Sequence, residues 1–587
     1  MPSCLVVVDY LSTSHIFKSG NPIFALMIER ILQHPLILFL CIVFIYLLAI
    51  PVDIMEVDSA QYYSMSVEML HRGNFLEFYD RGKEYLDKPP FIFWISGFFF
   101  SIFGANEFAF KLPSILFSVL GMYATYRFTK LYYSERTALL AALILGSTQG
   151  YFHFNNDVRT DTYLTNSVIA STWMLAAFIK NKKWYYWIGG FFFAGIAMLA
   201  KGPMGLISPI LAFGTHILFK NEWKVLLRWQ WLAGLVIIGA VLSPMLIGLY
   251  QQFDLQPDKI VNGKTGVSGL RFYFWEQSFG RITGENVWKN DTGPFFFVHN
   301  LGWSFLPWTL AFFGAFFMLI KDSIANEARI FNLKKEWITW GGFLLPFIAL
   351  SMSKYKLPHY IYVTFPFAAV ITADYLEQLR TRLSPAMKWL NISQTVVLAG
   401  AWVFGGLIFL WFFPLTNPIL IVVALGGLLL FLYSAIVKFN GYLDKWMVMS
   451  ISTSFAINIL MACQFYPSII EYQASGKAAK YAIEQKLPLD RLFVYFVNGR
   501  SLDVYTNHVQ KECSDESLMQ EWQAGNQTLF VFTNREGRQK LNDGGWKSEA
   551  VFTSSSFAVS LLTMNFGNPN TREKVLDEAY ILKISRQ

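Results

Sequence analysis

EYLDKPPFIFW, residues 84–94, decides how the chain is threaded. It sets Glu84, Asp87 and Lys88 and two consecutive prolines directly before an aromatic run. The apolar stretch that follows, about 90–103, would rise only about 21 Å as a helix. A bilayer core is about 30 Å thick. Thirteen longer apolar runs surround it, at about 36–51, 109–126, 137–152, 162–179, 184–200, 203–219, 229–250, 295–320, 337–352, 359–373, 389–413, 417–437 and 446–464. If the short run does not cross and the N-terminus is inside, one side of the membrane receives Arg127/Lys130/Arg136, Lys180/Lys182/Lys183 and Lys220/Lys224/Arg228. The same side receives Lys321/Arg329/Lys334/Lys335, Arg380/Arg382/Lys388 and Lys438/Lys445. Each of these loops is net positive, as cytoplasmic loops are. If the short run crossed, all six would lie outside. The expectation is therefore about 13 transmembrane helices, with 90–103 lying as a juxtamembrane or re-entrant helix at the outer interface.

Composition agrees with a membrane protein. Of 587 residues, 54% are hydrophobic and 15% charged, against about 25% charged in soluble proteins. Mean hydropathy is +0.37. The net charge of +8 follows from basic cytoplasmic loops and suggests no nucleic-acid partner. The four cysteines form no CxxC or Cys/His cluster, so neither a disulfide framework nor a zinc–thiolate site is expected. Residues 1–35 lack the ordered parts of a cleavable signal and read as a cytoplasmic extension.

From about 465 the pattern changes. LFVYFV (492–497), TLFVFT (528–533) and YILKIS (580–585) read as strands, and KAAKYAIEQ (477–485) and DESLMQEWQ (515–523) as helices. Alternation of this kind predicts a compact α/β domain over 465–587. Thirteen crossings place it outside.

The same parity gathers the loops at 52–90, 153–161, 200–203, 251–294 and 352–358 on the outer face. In the first, Asp58 opens DSAQYYSMSVEML, whose apolar spacing is helical. A carboxylate at a helix N-terminus is stabilised as the anion and is placed to accept a proton from a hydroxyl; a solvated loop carboxylate is the plainer reading. In HFNNDVRTD, Asp157, Arg159 and Asp161 suit either a structural ion-pair cluster or a substrate-orienting one. LAKGP holds Lys201 at a tight turn, where a lysine either snorkels or faces a ligand. WEQSFGRITGENVWKN supplies Glu276 and Arg281, and SKYKLPHY supplies Lys354, Lys356, His359 and Tyr360. Lys88, Lys201, Arg281, Lys354 and Lys356 would ring the outer boundary with cations, fitting a lipid phosphate or merely anionic headgroups.

DSAQYYSMSVEML, EYLDKPPFIFW, RTD (159–161), LAKGP, FWEQSFGRI and KYKLPHYI occur in the order found in integral-membrane glycosyltransferases of the C-type fold. Over about 36–370 the chain resembles the branch of bacterial aminoarabinose transferases and protein O-mannosyltransferases. The resemblance implies sugar transfer from a polyprenyl-phosphate donor to a lipid A-like or protein acceptor, at the periplasmic face of the inner membrane. It implies catalytic roles for Asp58 and Asp161. Lys88, Lys201, Arg281 and Lys356 would bind the donor phosphate, and Asp87, Arg159, Glu276, Lys354 and Tyr360 would position substrate. Two positions depart from the family. Ser59 follows Asp58 where an Asp-Glu pair is usual, and Asp87 replaces the commoner Glu before Lys88. A divalent metal with Asp87 as a candidate ligand stays open, and no other cofactor is implied. From a different class, the composition also admits a transporter or flippase of polyprenyl-linked sugars.

Overall fold

A computed structural model describes residues 34–586, except 262, 278–279, 281–289, 291, 327–334, 382–384, 437–444 and 525–527. The chain is mostly helical, and each of the thirteen apolar runs carries helix. Among the described residues, five helices are long and apolar enough to cross a membrane: Glu107–Tyr132, Gln230–Asp254, Ala386–Phe412, Pro418–Ile436 and Lys445–Ile470. Helix starts follow local chemistry. The Asn106 side chain accepts from Ala109 N at 2.9 Å, and the Ser134 hydroxyl accepts from Thr137 N at 3.2 Å, each satisfying an orphan donor.

Three runs differ from the expected single helices. The 137–152 run divides into Glu135–Ser147 and Gln149–Asn156. The 295–320 run splits into Phe296–Ser304 and Thr309–Asn326. Pro307 lacks the N–H a continuous helix needs, and the carbonyls freed there find partners. Gln149 N donates to Leu306 O at 2.9 Å, and Gln394 Nε2 donates to Pro307 O at 2.6 Å. The 359–373 run begins as a 3-10 segment, Pro358–Thr364, and becomes α-helical only at Phe365–Thr381.

The short run forms the helix Phe91–Phe103. It packs on the first-loop helix Asp58–Arg72 so closely that a Cβ at Gly97 would meet Met69 Cε at 2.5 Å. Phe93 sits among Tyr62, Phe78 and Tyr85, while Phe98 and Ile102 face outward. Between these helices Tyr79–Asp80 pairs with Lys83–Glu84 through a two-residue turn. Both turn residues are left-handed, Arg81 at φ +52° and Gly82 at φ +78°, the geometry a tight hairpin requires. Arg81 is held there by its own side chain. Nε donates to Asp503 at 2.8 Å, Nη1 to Asn498 O at 2.9 Å and Nη2 to Gly499 O at 3.0 Å.

The C-terminal segment forms a five-stranded mixed sheet in the order Lys511–Glu512, Leu492–Val494, Leu529–Asn534, Asp577–Arg586, Trp546–Ser556. The first three strands are parallel, and the last two pair antiparallel. Alternate residues feed opposite faces. Leu492, Val494 and Phe532 meet the helix Ala474–Glu484, while Phe493, Leu529 and Val531 meet Leu518 and Leu541. The expected helices and strands are present, except that the first strand ends at Val494 and does not extend to 497. Trp546–Ser556 is an addition: WKSEAVFTSSS is a polar edge strand recognisable only by its pairing with Asp577–Arg586.

Candidate active site

A cavity of about 490 Å³ lies where the first-loop helix, the hairpin, the starts and ends of three helices and the C-terminal sheet converge. Asp58 is the first residue of Asp58–Arg72. Arg159 is the N-cap of Thr160–Asn181, Asp161 lies in that helix's first turn, and Lys201 ends Trp184–Lys201. Those last two helices are joined by a tight turn, so the start of one lies beside the end of the other. The acidic residue therefore sits at an N-terminus and the basic one at a C-terminus, where the helix dipoles favour each.

Arg159 is the centre of the ion-pair network. Nη1 donates to Asp58 at 2.5 Å and Nε donates to Asp157 at 2.6 Å. Burial works against its charge, but Asp157 and Asp58 outweigh burial and raise its pKa above the ordinary value. Lys201 donates to Asp161, and its ammonium lies 4.0 Å from the centre of the Tyr360 ring, a cation–π contact. His359 Nε2 stands 3.7 Å from Asp161, and its Nδ1 is 3.5 Å from Arg159. Burial first, then Arg159, Lys201 and Lys88, hold the imidazole well below the ordinary histidine range, so it is neutral near pH 7. Lys88 donates to Asp87 beside it, and Gln277 donates to the Asp87 carbonyl.

The structure thus brings together Asp58, Asp87, Lys88, Arg159, Asp161, Lys201 and Tyr360. Lys356 stands elsewhere. Its ammonium donates to the Thr292 and Gly293 carbonyls at 3.0 and 3.3 Å, and it does not line the cavity. Lys354 is exposed and Glu276 pairs with Arg271 at 3.4 Å, both outside the cavity lining. Arg281 lies outside the described residues. Among the described residues no three His, Cys, Asp or Glu side chains converge as a metal site, and the Asp87 carboxylate is engaged by Lys88.

Several cavity residues escaped sequence reasoning. Asp80 accepts from Arg500 Nη2 at 2.8 Å and from Gln61 at 2.7 Å. Glu512 accepts from Lys83 at 2.6 Å. Arg500 and Glu512 come from the C-terminal sheet region, more than 400 residues along the chain from the hairpin they meet. No local spacing signals such a pairing. His359 was noted but not placed in the site.

A second, apolar cavity of about 680 Å³ adjoins the first at Arg159. Val397, Phe404, Phe409, Ile457 and Phe465 are among its walls.

The crystal structure of ArnT from Cupriavidus metallidurans bound to undecaprenyl phosphate superposes with a TM-score of 0.72, covering 94% of this chain and 97% of that one at 16% identity. Its apo state superposes at 0.71, covering 96% and 98% at 15% identity. This chain has the ArnT fold. The family described as dolichyl-phosphate-mannose-protein mannosyltransferase matches residues 87–247. The undecaprenyl phosphate-alpha-4-amino-4-deoxy-L-arabinose arabinosyl transferase of Pseudomonas savastanoi pv. phaseolicola is 25% identical over 367 residues, 62% of this chain and 64% of the relative. A second such transferase, from Pseudomonas fluorescens, is 26% identical over 310 residues, 52% and 49% of the two chains. The chain therefore spans less than two thirds of the length of either relative. The resemblance to aminoarabinose transferases and protein mannosyltransferases holds.

Proposed function

We propose that the protein transfers a sugar from a polyprenyl-phosphate donor to a lipid acceptor, with inversion. The observation that carries this reading is the Asp58 carboxylate facing a cavity that also holds Lys88 and Lys201. The acceptor oxygen attacks the anomeric carbon, and the bond from that carbon to the phosphate oxygen breaks. Asp58 takes the proton of an acceptor hydroxyl, or orients a phosphate-borne oxygen. The phosphodiester leaves as a monoester and gains a negative charge. The ammonium groups of Lys88 and Lys201, both lining the cavity, stabilise that charge. Arg159 positions Asp58, and Asp161 positions Lys201.

The adjoining apolar cavity supports a lipid acceptor over a protein one, since it meets the catalytic cavity at Arg159. Charge parity supports thirteen crossings, residues 1–35 inside, a membrane domain over 36–464 with its catalytic loop at 52–108, and an external domain over 465–587. In a bacterium this is the inner membrane, with the site facing the periplasm. The transporter reading is not favoured, because the relatives and the ArnT structures point to transfer. The test supplies the full chain in proteoliposomes with labelled polyprenyl-phosphate sugars or nucleotide sugars and a panel of lipids. Mass spectrometry should find glycosylated lipid only with the polyprenyl donors. Product from nucleotide sugars alone would refute the reading.

A further inference from the structure

The C-terminal sheet has a crevice of its own, about 270 Å³. Its first strand, Leu492–Val494, has Lys511–Glu512 on one side and Leu529–Asn534 on the other, all parallel. The chain leaves the first strand to one side and returns to the far side. Such a reversal opens a gap at the carboxyl ends of the strands, the usual ligand position in α/β sheets. The crevice is lined from those ends, by residues 496–499 after the first strand and by Asn534 at the end of the third. Phe496 is left-handed at φ +62°, and the residue is 47% exposed. A bulky residue rarely adopts that conformation, and such outliers gather at functional sites.

The crevice shares lining residues with the apolar cavity and borders the catalytic cavity where Val57 precedes Asp58. Four consecutive residues divide among them: Met55 lines the apolar cavity, Glu56 and Val57 the crevice, and Asp58 the catalytic cavity. Val559 and Ser560 line the crevice and the apolar cavity together. A molecule with its tail in the apolar cavity and its reacting oxygen at Asp58 would reach the crevice with the rest of its head.

The lining sets the chemistry of that head. Among the crevice-lining residues the titratable ones are Glu56 and Asp577, both acidic. Glu56 already accepts from Ser501 N and from Ser475 Oγ, each at 2.7 Å. Asn498, Ser556 and Ser560 offer neutral amide and hydroxyl groups beside Phe496 and Phe557. None of the crevice-lining residues is cationic, the Lys540 ammonium being stacked 3.8 Å from the centre of the Phe496 ring, whereas Lys88, Arg159, Lys201 and Arg500 line the catalytic cavity. Polar groups set among aromatic walls suit a hydroxyl-rich, uncharged ligand. Resting on the transferase reading, we propose that the crevice binds a neutral saccharide portion of the lipid acceptor's headgroup and so selects the acceptor.

The test uses the full chain in lipid nanodiscs with two labelled probes of equal tail, dodecyl maltoside and dodecyl phosphate. Phe496→Ala and Asn498→Ala should each weaken maltoside binding about five-fold or more without changing dodecyl phosphate affinity. Asn498 is exposed, so its variant keeps the test sound if the Phe496 variant unfolds. Unchanged maltoside affinity in both variants, or no maltoside binding to the wild type, overturns the proposal. Free maltose binding as tightly as the maltoside would assign the crevice to a soluble sugar and overturn it too. Separately, Lys88→Ala should weaken dodecyl phosphate. Failure of that arm alone would count against the donor site and leave the crevice standing.

Discussion

Asp58→Asn separates chemistry from structure because its two expected magnitudes differ widely. Asp58 is one of two carboxylates on Arg159, and its side chain is 38% exposed. Removing its charge leaves Arg159 bound to Asp157 at 2.6 Å. An ion pair this open to solvent contributes about 0–1 kcal/mol, so the unfolding temperature should move little. Loss of a positioned general base slows proton transfer by roughly 10²–10⁴, equal to about 2.7–5.4 kcal/mol in the barrier. Asp157→Asn gives the opposite contrast. Asp157 is 5% exposed, and breaking a buried pair costs about 3–5 kcal/mol. The assay is initial-rate transfer from a labelled polyprenyl-phosphate sugar in proteoliposomes, with thermal unfolding of the same preparations. Asp58→Asn should unfold like the wild type and turn over at least about a hundred-fold more slowly; Asp157→Asn should be the less stable of the two. An Asp58→Asn rate within ten-fold of wild type would refute the assignment of Asp58 as base.

Other outcomes follow from the same geometry. Lys88→Ala should raise KM for the donor more than Lys88→Arg does, since arginine keeps the charge; equal KM in both variants would remove Lys88 from the phosphate site. His359 binds its proton less tightly folded than unfolded, so stability is fully present above about pH 6.5 and is lost as pH falls below it. His359→Gln should flatten that acid limb of the stability profile, and an unaltered limb would show that another group titrates there. Arg81→Ala should cost about 3–5 kcal/mol, because it strands Asp503, whose side chain is 1% exposed. Limited proteolysis should then cut the C-terminal segment faster, and wild-type resistance would deny the clamp.

Much of the fold is local and therefore legible. Apolar runs must satisfy their backbone within themselves, so their length and polarity announce helices. Short unbroken apolar runs at 492–497 and 528–533 announced buried strands because both faces of the sheet are covered. The polar edge strand Trp546–Ser556 gave no such signal, as its identity comes from pairing rather than burial. Within the candidate site, Asp58, Asp161 and Lys201 were readable as charges at helix ends bordering apolar runs. Lys356 looked equivalent to Lys201 by sequence, yet its ammonium is spent on the Thr292 and Gly293 carbonyls.

The sequence by itself determined that this is a helical membrane protein with a C-terminal sheet, and that its charges cluster in one set of loops. Those facts follow from hydrophobic burial and backbone satisfaction, which act along short stretches of chain. Only the tertiary structure decided which charges meet. Arg159 between Asp58 and Asp157, Arg500 on Asp80, and the meeting of the apolar and catalytic cavities at Arg159 depend on elements remote in sequence. Ion pairs and cavities are set by distances of a few ångströms, and spacing along the chain does not encode them.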